Sequence, residues 1–384
     1  MSARRRGARA VAGGATTIGI VGGGQLGRML ALAGYPLGLD FLFLDRSGDT
    51  PAAQVATSLV GEFTDPRMLR QLVRRCGVIS FDWENISVPA LRAATRGQPA
   101  RVAPPLRALA VAQDRLSEKR LFDRLRIPTT HYAAVGSRPA LLRALRDIGL
   151  PGVLKTRRMG YDGKGQAVIR SPADAEAAWR AMGAVPLLYE GFVPFDYEVS
   201  CIAVRGRDGA LAFYPLSRNV HHDGILRVTV APWRHAGLQR AAQRHLRALL
   251  TELNYVGVLA MEFFVWRGAL VANEIAPRVH NSGHWTIEGT ATSQFENHLR
   301  AVAGLPLGAT TPRGHAGMVN LIGSVPRRNP LLALRDLHLH DYGKAPRPGR
   351  KVGHVTVVAA SGAARNDLIR SLVKSLYPQL GRIL

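Results

Sequence analysis

Apolar positions along the chain come in continuous runs and in helix-spaced sets, and the order of the two sets the fold class. "TTIGIVGGGQLGRMLALAGYPLG" opens with a continuous apolar run, breaks at Gly22-Gly23-Gly24 and then repeats apolar residues three and four apart. That pattern predicts a buried strand, a glycine turn and a helix. "LDFLFLD" follows as the next strand and completes a βαβ unit. "GVISFDWEN" and "PARVAPP" read as further strand ends, separated by the helix-periodic "DPRMLRQLVRRC". Together these segments predict an α/β domain of nucleotide-binding type over residues 17–112.

After "LAVAQDRLSEKRLFDRLRI", a helix that Pro128 must stop, the pattern becomes α+β. "GVLKT", "AVIR", "PLLYEGFV", "YEVSCIAVRG", "LAFYPLSRN" and "ILRVTVAP" predict strands, and "SPADAEAAWRAM" and "HAGLQRAAQRHLRALLTEL" predict helices. A hairpin is expected at "VGVLAMEFFVWRGALVANEIA". "SQFENHLRAVAG" is a helix with Ser293 and Glu296 at capping-box spacing. Pro and Gly in "GLPLGATTPRG" mark a boundary, so residues 113–308 form one unit and a β-rich domain occupies 309–384.

Composition narrows the class without deciding it. A chain of 384 residues exceeds the roughly 250–300 at which single cores stop growing, so two or three domains are expected. No apolar run reaches the ~18 residues of a bilayer-spanning helix, and two separated cysteines, Cys76 and Cys201, suit a reducing compartment. A cytoplasmic protein with no membrane partner is expected. Residues 1–16 start with basic residues, but their apolar part is short and broken by glycine, so they read as a flexible basic arm rather than a secretion signal.

The formal charge of +24 raises nucleic-acid binding. Six lysines stand against forty-five arginines spread over the helices, with no recognition motif, so a general preference for arginine accounts for the charge and no nucleic-acid partner is expected. The few lysines then mark places where a compact point charge is preferred to a planar fork. Five of the six, all but Lys374, fall in the stretches that follow.

The first glycine turn presents free N–H groups and a helix dipole to an anion. Gly22, Gly24 and Gly27 fit G-x-G-x-x-G and Asp45 ends the next strand, a pattern shared with dinucleotide-binding enzymes. In the hairpin, Glu262 and Glu274 sit inside apolar strands. A three-residue loop centred on Gly268 pairs the two acids with each other, and a two-residue loop pairs Glu262 with Asn273. Opposed carboxylates ~5 Å apart are destabilising unless a cation lies between them, and Mg²⁺, with Mn²⁺ possible, is the natural one for oxygen ligands that also carry phosphate. "KTRRMGYDGKGQ", from Lys155 to Gln166, is rich in glycine and cations yet is no Walker loop, because the strand-like "AVIR" follows it.

"PRVHNSGHW" adds Arg278, His280 and Asn281 directly after the hairpin, and Arg278 can fork a planar anion such as bicarbonate. His280 and His284 are four apart but lack a third ligand, so zinc is not expected. "YGKAPRPGRKVGH" sets Lys344, Arg347, Arg350 and Lys351 in a Pro/Gly loop that can clamp a second phosphate.

The order of these parts resembles the ATP-grasp enzymes, and "GGGQLGRML", "QDRLSEK", "GYDGKGQ", "YEGFVPFDYEVS", "NEIAPRVHNSGHWT" and "RPGRKVGH" closely resemble the 5-(carboxyamino)imidazole ribonucleotide synthase family of purine biosynthesis over residues 17 to about 357. The resemblance implies a Rossmann-like pre-ATP-grasp domain, a two-lobed ATP-grasp domain with its lid lobe at about 125–190, and a small β-rich C-terminal domain. It implies ATP-dependent carboxylation of 5-aminoimidazole ribonucleotide by bicarbonate through carboxyphosphate, in a homodimer. Carried onto this chain, Lys119 and Lys155 meet the phosphates or the nucleotide pocket, and Gly160, Tyr161, Asp162, Gly163, Lys164, Gly165 and Gln166 form a lid over the triphosphate. Glu190, Gly191, Phe192 and Val193 line the adenine edge through backbone groups, Glu198 takes the ribose hydroxyls, and His221 lies near the nucleotide. Glu262 and Glu274 hold Mg²⁺ with Asn273 beside them.

Gln25, Leu26, Glu84, His280, Lys344, Arg350 and Lys351 are the ribonucleotide candidates. Asp162, Arg278, Asn281 and Lys351 are the catalytic candidates around bicarbonate. "FDWEN" departs from the family's E-F-E-N-like string, which leaves the role of Asp82 undefined. A dehydrogenase would use only the first βαβ unit. Another ATP-grasp carboxylase or a formate-using ribonucleotide ligase shares the metal apparatus and differs in the acceptor.

Overall fold

The computed structural model describes residues 16–160 and 163–380. Tyr161, Asp162 and residues 1–15 of the basic arm therefore lie outside the described residues, as do 381–384. Strands β1 (Thr17–Val21), β2 (Asp40–Asp45), β3 (Thr57–Val60) and β4 (Val78–Phe81) form a parallel sheet in the order β3-β2-β1-β4. The helix Gln25–Gly34 makes the crossover from β1 to β2, and Pro66–Arg75 the one from β3 to β4. β1, β2 and β4 are almost wholly buried, as expected of parallel strands covered on both faces.

Two details differ from the sequence reading. "PARVAPP" forms a short 3₁₀ turn, Pro99–Arg101, and a single bridge from Val102 to Ile79, because its prolines cannot donate to a ladder. β3, a four-residue, partly exposed edge strand, has too little apolar contrast to stand out in the sequence.

The second sheet, order β5-β8-β6-β7, contains β5 (Tyr132–Val135), β6 (Gly152–Thr156), β7 (Gln166–Ile169) and β8 (Leu187–Gly191). Helices Arg138–Ile148 and Pro172–Met182 share its core through Leu141, Ala144, Ala175 and Ala178. The glycine-rich loop joins β6 to β7, which are antiparallel with Lys155 opposite Gln166. It opens no helix.

The third sheet has nine strands: β9 (Tyr197–Arg205), β10 (Leu211–Phe213), β11 (Ser217–His222), β12 (Ile225–Ala231), β13 (Gly257–Trp266), β14 (Ala269–Ala276), β15 (His315–Ile322), β16 (Leu337–Asp341) and β17 (Lys351–Ala359). Its order is β14-β13-β9-β11-β12-β15-β17-β16, with β10 on β9. The C-terminal strands thus extend the central sheet, through β15 on β12. The last long helix, Gly362–Leu376, buries Ile369, Leu372 and Val373 against Val319, Leu321, Val355 and Val357.

The period of two along β9 and β13 separates core from site. Val199, Cys201, Met261 and Phe263 pack on Leu246, Leu249 and Leu250 of helix Ala236–Glu252. Glu198, Ser200, Glu262 and Phe264 therefore share the opposite face, where Glu262 lies beside Ser200 and Phe264 beside Glu198.

Candidate active site

The acid pair depends on an irregular hairpin. Trp266 pairs with Ala269 across a two-residue turn whose central residues, Arg267 and Gly268, have φ of 51° and 76°. Two positive φ values are those of a type I′ turn. Continued regularly, that turn would set Glu262 opposite Asn273. Instead the register shifts between Glu262 and Phe263, so Phe263 faces Ala272 while Glu262 faces Glu274. Asn273 is the extra residue of a β-bulge, a third solution beside the two loop lengths considered from sequence.

Glu262 is pushed up to about 7, first by burial and then by the charges of Glu274 and Glu198, against the pull of His221. Its Oε1 has no hydrogen-bond partner among the described residues. The nearest basic atom is His280 Nδ1 at 3.8 Å, but burial and the neighbouring Arg278 hold that imidazole far below its usual range, so the contact is not an ion pair. An orphaned carboxylate oxygen facing a second carboxylate and an amide side chain suits a hard divalent cation.

Glu198 Oε2 lies 2.6 Å from His221 Nδ1. Burial pulls the imidazole down, but the bond to Glu198 and the charges of Glu262 and Glu274 outweigh it and leave His221 raised to about 9. A histidine raised on folding stabilises fully below its unfolded pKa of ~6.5 and loses that contribution as pH climbs through the folded value. Urea midpoints of the wild type should accordingly fall between pH 6.5 and about 9, relative to His221→Gln. Parallel curves would remove the coupling.

Lys155 Nζ bonds Glu190 Oε2 at 2.8 Å, and Lys119 Nζ is 3.7 Å from Oε1 of the same carboxylate. Burial raises Glu190, but the two ammonium groups more than reverse this and bring it down to about 2. Lys119 is 1% exposed and donates to Thr129 Oγ1, Asn273 O and Ala272 O at 2.9, 3.0 and 3.3 Å. All three of its donors are engaged within the protein. Glu190 is occupied with the lysines, while the N–H groups of Gly191 and Phe192 already donate to the carbonyls of His131 and Pro151. Phe192, which follows β8 directly, is exposed, and Val193 comes next.

Arg115 was not singled out from sequence. Its Nη1 lies 3.2 Å from Glu274 Oε2, and a Cβ built on Gly160 would come within 3.3 Å of its Nη2. It stands between the acid hairpin and the root of the glycine loop. Ranking cations by the rarity of lysine could not find it in a chain of forty-five arginines; the "QDRLSEK" match was the only pointer. At the far side of the loop, Gly163 rests against the β11–β12 turn at Gly224, Lys164 follows it, and Gly165 packs against the Thr156 side chain at the end of β6.

The first glycine turn departs from its expected use. Gly23 N–H donates to Asp45 Oδ2 at 2.6 Å and Gly27 N–H to Asp82 Oδ2 at 3.0 Å. A Cβ on Gly22, whose φ is +101°, would sit 1.8 Å from Asp82 Oδ1. The cradle read as an anion site is filled by the chain's own carboxylates, and Asp82, undefined from sequence, takes the anion's place. Burial raises it to about 6, partly countered by the Gly27 N–H.

Gln25 and Lys344 meet across 319 positions, with Nζ 2.5 Å from Oε1. Burial and the neighbouring Arg350 bring Lys344 down to about 8. Leu26 is buried, so only its backbone is available to a ligand. Lys351 is near enough for its charge to lower both Glu262 and His280, and Arg350 Nη1 donates to Ala345 O at 3.2 Å.

Arg278 Nη2 is 3.0 Å from Glu84 Oε1, joining a residue expected at bicarbonate to one expected at the ribonucleotide. Arg278 Nε and both polar atoms of the Asn281 side chain are buried and lack partners among the described residues. His280 Nδ1 meets Ser282 Oγ at 2.9 Å, whereas His284 turns into a buried, tilted contact with His354, ring centroids 4.9 Å apart and planes 37° from parallel.

Comparison with known proteins covers nearly the whole chain. The ribonucleotide synthetase preATP-grasp domain matches residues 15–113, the ATP-grasp domain 120–295, and the phosphoribosylaminoimidazole carboxylase C-terminal domain 316–367. The chain is 53% identical over 361 residues to the N5-carboxyaminoimidazole ribonucleotide synthase of Pseudomonas aeruginosa, covering 93% of this chain and 99% of that one. The crystal structure of the corresponding synthetase from Thermus thermophilus superposes with a TM-score of 0.90 at 50% identity, over 95% of this chain and 99% of that one. A synthase from Aspergillus clavatus, solved with ADP and 5-aminoimidazole ribonucleotide, superposes at 0.88 with 29% identity, over 94% and 98%.

Proposed function

Since the chain belongs to the N5-carboxyaminoimidazole ribonucleotide synthase family of ATP-grasp ligases, we propose a division of labour among its residues in which the acid hairpin and glycine loop handle ATP, and Gln25 at the start of the first helix and the basic loop handle the ribonucleotide. The protein is an ATP-dependent ligase that carboxylates 5-aminoimidazole ribonucleotide in purine biosynthesis. A single observation carries the rest of the reading. β14 carries Glu274 and ends at Ala276, two residues before Arg278, whose guanidinium reaches Glu84 just beyond β4, and Arg278 and the nearby Asn281 carry buried polar atoms without partners among the described residues. The two halves share a wall lined with unused donors.

Lys155, held by Glu190, and Arg115 bind phosphate oxygens, and the loop 160–166, including Asp162, is assigned to the triphosphate. Glu198 and His221 take the ribose side. Glu262 and Glu274, with Asn273 beside them, would hold magnesium or manganese, which supplies charge neutralisation across the phosphates. Bicarbonate lies in the fork of Arg278 next to Asn281, and one of its oxygens attacks the γ-phosphorus with loss of ADP. The exocyclic amine then attacks the carboxyphosphate carbon and phosphate leaves. Gln25, Lys344, Arg350 and Lys351 hold the ribonucleotide so that this amine faces the shared wall.

Among the described residues no helix is long and apolar enough to cross a membrane, and we place the enzyme in the cytoplasm as a homodimer. Phosphate release from MgATP should require both 5-aminoimidazole ribonucleotide and bicarbonate. Release indifferent to the ribonucleotide would favour a different acceptor, and salt-sensitive DNA binding without turnover would favour the nucleic-acid alternative.

A further inference from the structure

The bulge that aims Glu274 lies on an edge strand, because β14 ends the central sheet. An edge bulge ordinarily leaves N–H and C=O groups facing outward without partners. Here one turn of the helix Arg115–Arg124 takes them on both sides of Glu274. Lys119 donates to the carbonyls of Ala272 and Asn273, and Glu118 Oε1 accepts the Ile275 N–H at 2.7 Å. Thr129 Oγ1 accepts from Lys119 and donates to the Ala272 carbonyl, at 2.9 Å in each case.

Glu118 and Lys119 are 2% and 1% exposed. Two adjacent buried ionisable side chains are a costly filling for a helix–sheet contact that apolar residues of similar volume could occupy. What they supply, and Leu or Met could not, is an acceptor and several donors at set points along a displaced backbone. The displacement matters because a two-residue turn continued in regular register would put Asn273 opposite Glu262, and a one-residue slip reverses the face of each side chain.

We infer that Glu118 and Lys119 form a backbone clamp that holds the bulged register of β14, so that Glu274 and not Asn273 stands opposite Glu262 for the divalent cation. Both are positioning residues, and the inference rests on the metal reading given above. Outer groups that orient metal ligands typically change affinity by about 10–100-fold when lost.

The test uses the purified enzyme with ADP and no turnover, titrating Mg²⁺ and following the additional thermal shift it produces. Glu118→Ala should raise the half-saturating Mg²⁺ concentration by about 10–100-fold while the shift caused by ADP alone persists. Glu118→Gln keeps a carbonyl acceptor for Ile275 and should stay within about 3-fold of wild type. A wild-type titration for Glu118→Ala, or a Gln variant as defective as Ala, overturns the clamp. If Glu118→Ala does not fold, Thr129→Val removes the hydroxyl between Lys119 and the Ala272 carbonyl, and an unchanged Mg²⁺ midpoint overturns the inference equally. Glu274→Gln separates the two readings. Should it retain the Mg²⁺ response, the metal assignment fails; if it loses the response and Glu118→Ala does not, the clamp alone fails.

Discussion

Glu274→Gln should lower turnover by about 10³-fold or more, the scale on which removal of a key charge-stabilising group acts, while the fold survives. The substitution preserves shape and removes the charge that a cation needs. The stability cost is small because Glu274 is 41% exposed at its side chain and its partner Arg115 still has Glu118 and Glu190 as neighbouring charges. Glu262 also loses one of the charges that raise it. We expect a melting temperature within a few degrees of wild type, consistent with about 1 kcal/mol or less for a partly exposed pair. Steady-state phosphate release and a thermal melt on the same preparation check both halves. A Glu274→Gln enzyme with near-normal turnover would remove the acid pair from the mechanism.

Arg278→Met should be damaging in two separable ways. Glu84 is already raised by burial, with Arg278 the main influence lowering it. Loss of the guanidinium strands that carboxylate; breaking a fully buried pair on one side costs about 3–5 kcal/mol, and with side chains 17% and 27% exposed the cost here should fall below that range. The loss should diminish as pH falls and Glu84 takes up a proton. Arg278→Met combined with Glu84→Gln removes the stranded charge and should recover most of the stability. Turnover should nevertheless stay down by about 10²-fold or more, as for removal of a preorganised donor to a reacting anion. If the double variant regains turnover together with stability, Arg278 serves the fold and not the chemistry.

Much of the site was legible because certain residues contradict their surroundings. Glu262 and Glu274 stand out as acids in apolar strands, and the loop after Lys155 fails the Walker pattern because a strand follows it. The rarity of lysine led to Lys155 and Lys344, both buried or partly buried near the proposed ligands. The same rule passed over Arg115, whose chemistry is ordinary in this composition. It also ranked Lys119 among the phosphate-facing groups without any sign that its donors are engaged by Thr129 and two β14 carbonyls.

By itself the sequence determined most of the order of strands and helices, short of the edge strand β3 and the turn at Pro99–Arg101, and the chemical types gathered in each loop. These follow from periodicity and composition over a few residues, where burial of one face is the main constraint. Only the tertiary structure decided the bulge at Asn273, the filling of the first glycine turn by Asp45 and Asp82, the meeting of Arg278 with Glu84, and the addition of β15 to β12. Each is a choice of partner between residues far apart in the chain, or a shift of one residue in register. Both leave the local hydrophobic pattern unchanged, so they are settled by hydrogen-bond satisfaction and charge pairing once the distant segments have come together.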